Sequence, residues 1–176
     1  TYYPKPQFLQ LLAAIDDAWR TKRADVQQNV GALMEAIDRT RTVEPAKEVP
    51  GVASIDLGLR QLGSTFDADW GGFGKAPKFP STFGIDLVLR LYLRTGGPEA
   101  RRVVETTLQA MASGGMYDHL GGWFARYSTD EKWLVPHFEK MLYDQALLAR
   151  VYVHAAQVFD DPVYRQVASE TIDYVL

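Results

Sequence analysis

The sequence predicts a mainly α-helical protein, built of helical hairpins joined by long glycine- and aromatic-rich loops. Three observations carry this. Apolar residues recur at the three-to-four spacing of an amphipathic helix in several separate stretches. Glycines and prolines cluster between those stretches and forbid regular structure there. No series of strands alternates with the helices, which argues against a parallel α/β sheet. With 176 residues, 47% of them hydrophobic, the chain can bury a core of one domain, with room for an appendage.

The elements follow in order. Phe8, Leu11, Leu12, Ile15 and Trp19 make a helical stripe that Val26, Val30, Leu33 and Ile37 continue after a polar patch. The segment from Pro6 to Thr40 therefore reads as one long helix or two joined near Arg23. "RTRTVEPAKEVPG", residues 39–51, has two prolines and few bulky apolar groups and reads as a linker, with a domain boundary across 41–53. Ile55, Leu59, Leu62 and Phe66 place a helix over 54–68. "DADWGGFGKAPKFPS" must then be a loop. Ser81 is the expected N-cap of a helix over 82–95 closed by Gly96-Gly97. Pro98 opens the next, over 98–113, with Val103, Val104, Leu108 and Met111 inward. After Gly114-Gly115, "GGWFARYSTDEKWLV" allows a short β-hairpin. Pro136 is expected to start a helix running to Phe159, and Asp160-Asp161-Pro162 to break it and start the last one.

Charge and composition exclude several classes. The net charge is -3 and the pI about 5.6, so there is no global attraction to nucleic acid or an anionic membrane. With no cysteine, disulfide and cysteine-based metal chemistry are closed to this chain. No apolar run approaches the ~20 residues that span a bilayer. A cytoplasmic protein without cofactor, metal, nucleic-acid or membrane partner is expected. The opening "TYYPKP" and the still-periodic "SETIDYVL" at the end read as an internal piece of something larger.

The chemistry concentrates in "GGMYDHLGGWFARYSTDEKWLVPHFEKMLYDQ", residues 114–145. On a helix from Pro136 to Phe159, Arg150, His154 and Gln157 form a solvent-facing polar stripe. Asp144 instead shares a face with Met141, Leu148, Val151 and Ala155. A carboxylate there must be paired, capped or open to a polar cavity. His137 and Lys140 would lie on its side of the helix, so acid, base and cation would line one stripe. The plainer alternative is a Lys140–Asp144 pair plus a His137 that tethers the loop. Asp118-His119 is either an orienting pair or a loop-capping device. Arg126 can clamp an anionic group or pair with Asp130 or Glu131. Trp70 and Phe73 offer stacking faces beside a Gly-rich backbone that is neither a Walker loop nor a dinucleotide fingerprint. Lys75 and Lys78 read first as solvated, with Lys78 also a candidate for ligand contact. His119, His137, Asp118 and Glu139 lack any tight metal-ligand spacing.

"GGFGKAPKFP" at 71–80 and "GGMYDHLGGWFARYSTDEKWLVPHFEKMLYDQALLARVY" at 114–152 resemble the thioredoxin-domain-containing, YyaL-like family, which includes the spermatogenesis-associated thioredoxin-like proteins. The resemblance covers roughly 54–176, and residues 1–40 look like the end of that family's thioredoxin-like domain and its exit helix. It implies an (α/α) six-hairpin toroid similar to N-acylglucosamine 2-epimerases, here the N-terminal half, over 54–176. The rest of the toroid and the cysteine motif of the thioredoxin-like domain would be partners outside this chain.

In such a toroid, loops at one end of the inner helices form a central pocket. The resemblance therefore implies a sugar ligand, in an epimerase- or glycosidase-like pocket. His137, Asp144, Asp118 and Lys140 would be the catalytic candidates. Trp70, Phe73, Lys78, His119, Trp123, Arg126, Tyr127, Glu139 and Tyr143 would contact the ligand. The alternative is a non-catalytic scaffold for the thioredoxin-like domain, with the same aromatics gripping a peptide. Half a toroid exposes helix faces that want a partner. The isolated chain is expected to form dimers or larger oligomers, and a clean monomer by light scattering at high concentration would refute this.

Overall fold

A computed structural model describes residues 2–41 and 49–176. It divides into two compact units, residues 1–50 and 51–176. The first contains α1 (Lys5–Thr21) and α2 (Arg23–Arg41). Of the two readings of this segment, two helices hold, broken at Lys22. Arg23 lies over the Trp19 ring at 3.3 Å from its centroid. Neither helix has a buried residue. Most of the expected linker, residues 42–48, lies outside the described residues.

The second unit contains α3 (Val52–Thr65), α4 (Thr82–Thr95), α5 (Pro98–Ser113), β1 (Tyr127–Ser128), β2 (Pro136–His137), α6 (Leu142–Phe159) and α7 (Pro162–Val175). The fold class is the predicted one, mainly helical with one two-stranded antiparallel ribbon. α4 pairs with α5 and α6 with α7, each across a two-residue link, so both pairs are antiparallel hairpins. α4 also packs on α6, and α3 on α4. No described helix is long and apolar enough to cross a membrane.

The local reasons are mostly the predicted ones. Gly96 ends α4 with φ 66°, a conformation that costs glycine little. Pro98 sits at the start of α5 and Pro162 at the start of α7. Asp161 caps α7, its carboxylate accepting from the Val163 N–H at 2.9 Å. Ser81 occupies the N-cap position of α4, but its left-handed backbone makes no side-chain cap. α3 starts inside the expected linker and stops at Thr65, because Phe66 leaves it to pair with Phe73.

The core is shared by the two hairpins and the long loop. Val104, Leu108 and Met111 of α5 meet Leu148, Val151, Tyr152 and Ala155 of α6, Tyr164 of α7, and Phe124 and Trp133 of the loop, all buried. The Tyr152 hydroxyl donates to the Leu108 carbonyl at 2.7 Å. The expected solvent-facing stripe on α6 holds for Arg150 and Gln157, both exposed, and His154 is only partly buried. Arg150 and His154 turn toward Asp86 of α4, at 3.8 and 3.4 Å, where Arg90 already lies at 2.9 Å. An acid on the neighbouring helix pairs with two members of the stripe, which periodicity within α6 cannot register.

The larger surprise is Lys78, expected in solvent and found fully buried. Its ammonium donates to Asp67 Oδ2 at 2.6 Å and to the Gly71 carbonyl at 3.0 Å, and lies 5.3 Å from the Trp133 ring centroid. Its backbone pairs with Ser128 of β1 through two hydrogen bonds, at 2.8 and 2.9 Å. Burial pushes the Asp67 carboxyl up, but the Lys78 ammonium and the N–H groups of Trp70 and Asp69 outweigh it and hold the group below its usual range. Its stabilising effect is thus present above the unfolded value and lost as pH falls through the folded one. Replacing Lys78 by Met keeps the stem's volume but strands a carboxylate. We expect Lys78→Met to cost about 3 kcal/mol in urea unfolding at pH 7, and the deficit to shrink below about pH 4. A loss under about 1 kcal/mol would show that this pair does not hold the loop.

Candidate functional site

The stretch 114–145 is a folded loop, pinned by side chains at each bend. Tyr117 pairs with Phe124, closing a turn in which the Asp118 carboxylate accepts from the N–H groups of Leu120 and Gly121, both at 3.0 Å. Those two bonds hold the Asp118 carboxyl below its usual range. The Tyr117 hydroxyl donates to Glu170 of α7. Asp130 does the same work in the ribbon's loop, accepting from the N–H groups of Lys132, Leu134 and Val135. Gln145, buried in α6, clamps the Phe124 backbone from both sides, at 2.9 and 2.7 Å.

This pairing corrects the start of α6. Pro136 and His137 are drawn into the ribbon opposite Ser128 and Tyr127, and Arg126 N–H donates to the Glu139 carbonyl at 2.9 Å. The backbone stays extended through Met141 (φ -117°, ψ 124°), and the helix opens at Leu142. Proline suits a strand edge as well as a helix start, and it pushes Val135 toward extended backbone. His137 and Lys140 therefore do not share a helical stripe with Asp144.

Five of the candidates, Arg126, His137, Glu139, Tyr143 and Asp144, are nevertheless brought together. Arg126 Nη1 donates to Glu139 Oε2 at 2.7 Å, and His137 Nδ1 lies 3.8 Å from the same oxygen. Asp144, in the first turn of α6, is 9% exposed, as its apolar neighbours predicted. Burial pushes its carboxyl above the usual range, with Arg126 opposing and Glu139 reinforcing. Asp144 Oδ2 and Arg126 Nε are both buried without a hydrogen-bond partner among the described residues. Tyr143, half exposed, interacts with Arg126. Arg126 meets neither of its expected partners, because Asp130 is committed to the loop.

The other candidates are placed elsewhere. Lys140 lies over Trp123 at 4.0 Å and Tyr174 at 4.9 Å, forming no pair with Asp144. Trp123 is buried and stacks on Tyr174 at 5.6 Å. Tyr127 is sandwiched between Phe79 at 4.7 Å and His137 at 4.6 Å, so neither face is free. Phe73 packs against Phe66 at 6.2 Å. His119 Nε2 lies 3.1 Å from the Gly114 carbonyl, and Lys78 is sealed in its ion pair. Trp70 keeps an exposed ring, in a different part of the unit. Asp118, His119 and Trp123 line a groove of about 400 Å³ with Pro136 and Phe138. Gln145 was missed by sequence reasoning, and Asp130 was read only as a possible partner of Arg126. Asp130's loop position was a visible signal, whereas nothing local marked Gln145.

No protein-family model matches the chain. It is 35% identical over 188 residues, 99% of its length, to spermatogenesis-associated protein 20 of Mus musculus. The identity is also 35%, over 195 residues, with the homologue of that name in Homo sapiens. An uncharacterized protein of Caenorhabditis elegans is 43% identical over 162 residues. The chain spans about a quarter of the length of these curated relatives, 22 to 24%.

A group whose folded pKa is raised destabilises the fold once it must ionise. That cost appears as pH rises through the unfolded value and is full above the folded one. Asp144→Asn is therefore expected to stabilise the chain at pH 7, by about 1 kcal/mol, with the advantage vanishing below about pH 4. Thermal melts across pH would test this, and a pH-independent or negative effect would refute it.

Proposed function

We propose that the chain belongs to the thioredoxin-domain-containing, YyaL-like family, and that residues 54–176 supply half of a helical toroid whose pocket binds or processes a carbohydrate. The homologues support the first part of this reading. One observation carries the second. Asp144 and Arg126 each keep a buried polar atom without a partner, and both lie where the loops meet the start of α6. Buried polar atoms are normally paired. A sugar hydroxyl suits this site, since it can accept from Arg126 Nε and donate to Asp144. Glu139 already neutralises Arg126, which favours a neutral ligand over an anionic one.

If turnover follows binding, the roles differ by residue. A carboxyl raised by burial is suited to donating a proton, as a general acid. His137, half exposed beside Glu139, suits the base that an epimerase needs next to a carbonyl. Asp118 is firmly ionised and committed to its turn, so it suits the acid of a hydrolytic pair poorly. Of the expected stacking residues near the cluster, Trp123 and Tyr127 are already packed within the chain. Phe138 and Tyr143 are the exposed rings beside it.

A specific observation favours the second reading, a peptide-binding scaffold. Leu134, Val135, Phe138 and Leu142 are all at least half exposed around the same loops, an apolar rim that could grip a protein segment.

The two readings separate in a melting experiment on the full-length protein, with mono- and disaccharides including N-acetylated and phosphorylated sugars. A ligand at ~100 times its Kd adds about 2.7 kcal/mol. A neutral sugar is expected to raise Tm, and Asp144→Asn, checked for folding, to abolish the rise. No shift with any of these sugars would reject the carbohydrate reading in favour of the scaffold.

A further inference from the structure

We propose that the groove between α5 and α7 binds an aliphatic ammonium group, carried by a free amine or by a lysine side chain, with Glu170 as its counter-ion. The groove has a volume of about 320 Å³, at the small end for a ligand pocket. Helical spacing builds its walls. Gln109 and Ala112 stand three residues apart on α5, and Val163, Val167 and Glu170 stand four and three apart on α7, so each set lies on one face of its helix. Tyr117 and His119 of the long loop complete the lining. The groove shares no residue with the Asp144 cluster and is independent of the function proposed there.

The carboxylate is fixed and ionised. The Tyr117 hydroxyl donates to Glu170 Oε2, and Gln166 Nε2 donates to Oε1 at 2.8 Å. The Gly122 backbone presses on the Glu170 stem, so that a Cβ on Gly122 would stand 2.8 Å from the Glu170 Cβ. The bonds from Tyr117 and Gln166 hold the Glu170 carboxyl below its usual range, against the effect of burial, and His119 adds to them. Burial and Glu170 keep the Tyr117 hydroxyl protonated, well above its usual range. The pair therefore carries one negative charge. Each Glu170 oxygen has accepted one hydrogen bond and can accept another. An ammonium arriving there would find its acceptors already positioned, with little side-chain freedom left to lose.

The rest of the lining selects a cation on an apolar stem. No lysine or arginine lines the groove, and Glu170 is its one carboxylate, so its charge is negative whenever His119 is neutral. His119 Nε2 lies 3.1 Å from the Gly114 carbonyl. A carbonyl can only accept, so Nε2 carries the proton and Nδ1 of the neutral ring is left as a further acceptor. Ala112, Val163 and Val167 supply an apolar wall along which a methylene chain can lie while its charged head reaches Glu170. An anion would be repelled by Glu170, and a neutral ligand would leave its charge unmatched. A divalent metal ion asks for several oxygen ligands, and among the described residues no group of three or more His, Asp or Glu side chains could hold one.

The test is to titrate the whole chain, at about pH 8 where histidine is neutral, with cadaverine and with the capped lysine Nα-acetyllysine methylamide, using pentanol as the uncharged control. The chain has 3 histidines, so the imidazole resonances are few, and His119→Asn assigns the one at the groove. At least one amine is expected to shift that resonance saturably, with a Kd on the order of 1 mM. Response to cadaverine alone would identify the ligand as a free amine, and response to the capped lysine alone as a side chain of a protein partner. Glu170→Gln should weaken the bound amine roughly tenfold. Gln109→Lys sets a like charge in the groove from an exposed position and leaves the bonds to Glu170 in place. It should weaken binding as much with an unchanged circular-dichroism spectrum, and it reports even if Glu170→Gln fails to fold. No saturation by either amine up to ~20 mM would overturn the proposal. So would equal affinity for pentanol, or full affinity in Gln109→Lys or in a folded Glu170→Gln.

Discussion

The buried ammonium of Lys78 is the constraint on which the loop side of this molecule depends. A charge removed from water needs counter-charge and hydrogen bonds around it, and here Asp67 and the Gly71 carbonyl supply them. Meeting that need fixes three segments at once. The loop after α3 must bring Asp67 inward. The Gly71-Gly72 backbone must come close enough for a carbonyl to face the ammonium. Lys78 must also lie beside Ser128, which anchors the ribbon. Gly72 adopts φ 79° and lies so close to Trp133 that a side chain there would strike the ring. Its N–H is in turn held by the Thr107 hydroxyl of α5, at 2.9 Å. One cation thereby connects the glycine loop, the ribbon and the helical core.

The candidate site follows from that scaffold. Once β1 is placed, its pairing with β2 keeps the chain extended through Met141, and α6 starts only where the ribbon has ended. The delay leaves Arg126 and Glu139 on the ribbon side and Asp144 on the helix side of one junction. Neither element alone satisfies Asp144 Oδ2 or Arg126 Nε. The cluster thus arises where two secondary structures meet, and its unpaired atoms are the groups that the proposed ligand would satisfy.

Much of the fold was legible in local sequence. Gly96-Gly97, Pro98 and Asp160-Asp161-Pro162 marked the two helical hairpins, because glycine and proline restrict the backbone whatever surrounds them. The apolar partners of Asp144 announced its burial, since Leu148, Val151 and Ala155 recur at helical spacing. The start of α6 was misread because Pro136 fits a strand edge as well as a first helical turn. Which of the two it adopts depends on Tyr127 and Ser128, across the ribbon. The fates of Trp123 and Tyr127 were hidden for the same kind of reason. An aromatic residue looks available in sequence until Lys140, Tyr174, Phe79 and His137 are seen covering it.

By itself, then, the sequence determined the helical class, the hairpin links, the glycine-rich loops and the inward carboxylate of Asp144. These are set by backbone restriction and by periodicities spanning a few residues. Only the tertiary structure decided that Lys78 is buried, that Arg126 pairs with Glu139 rather than Asp130, and that Asp118 serves its turn. It also decided that Arg150 and His154 face Asp86. Each of these choices is a competition between polar groups for partners. Several of the winning partners are far away in the chain, where only folding brings them within hydrogen-bond reach.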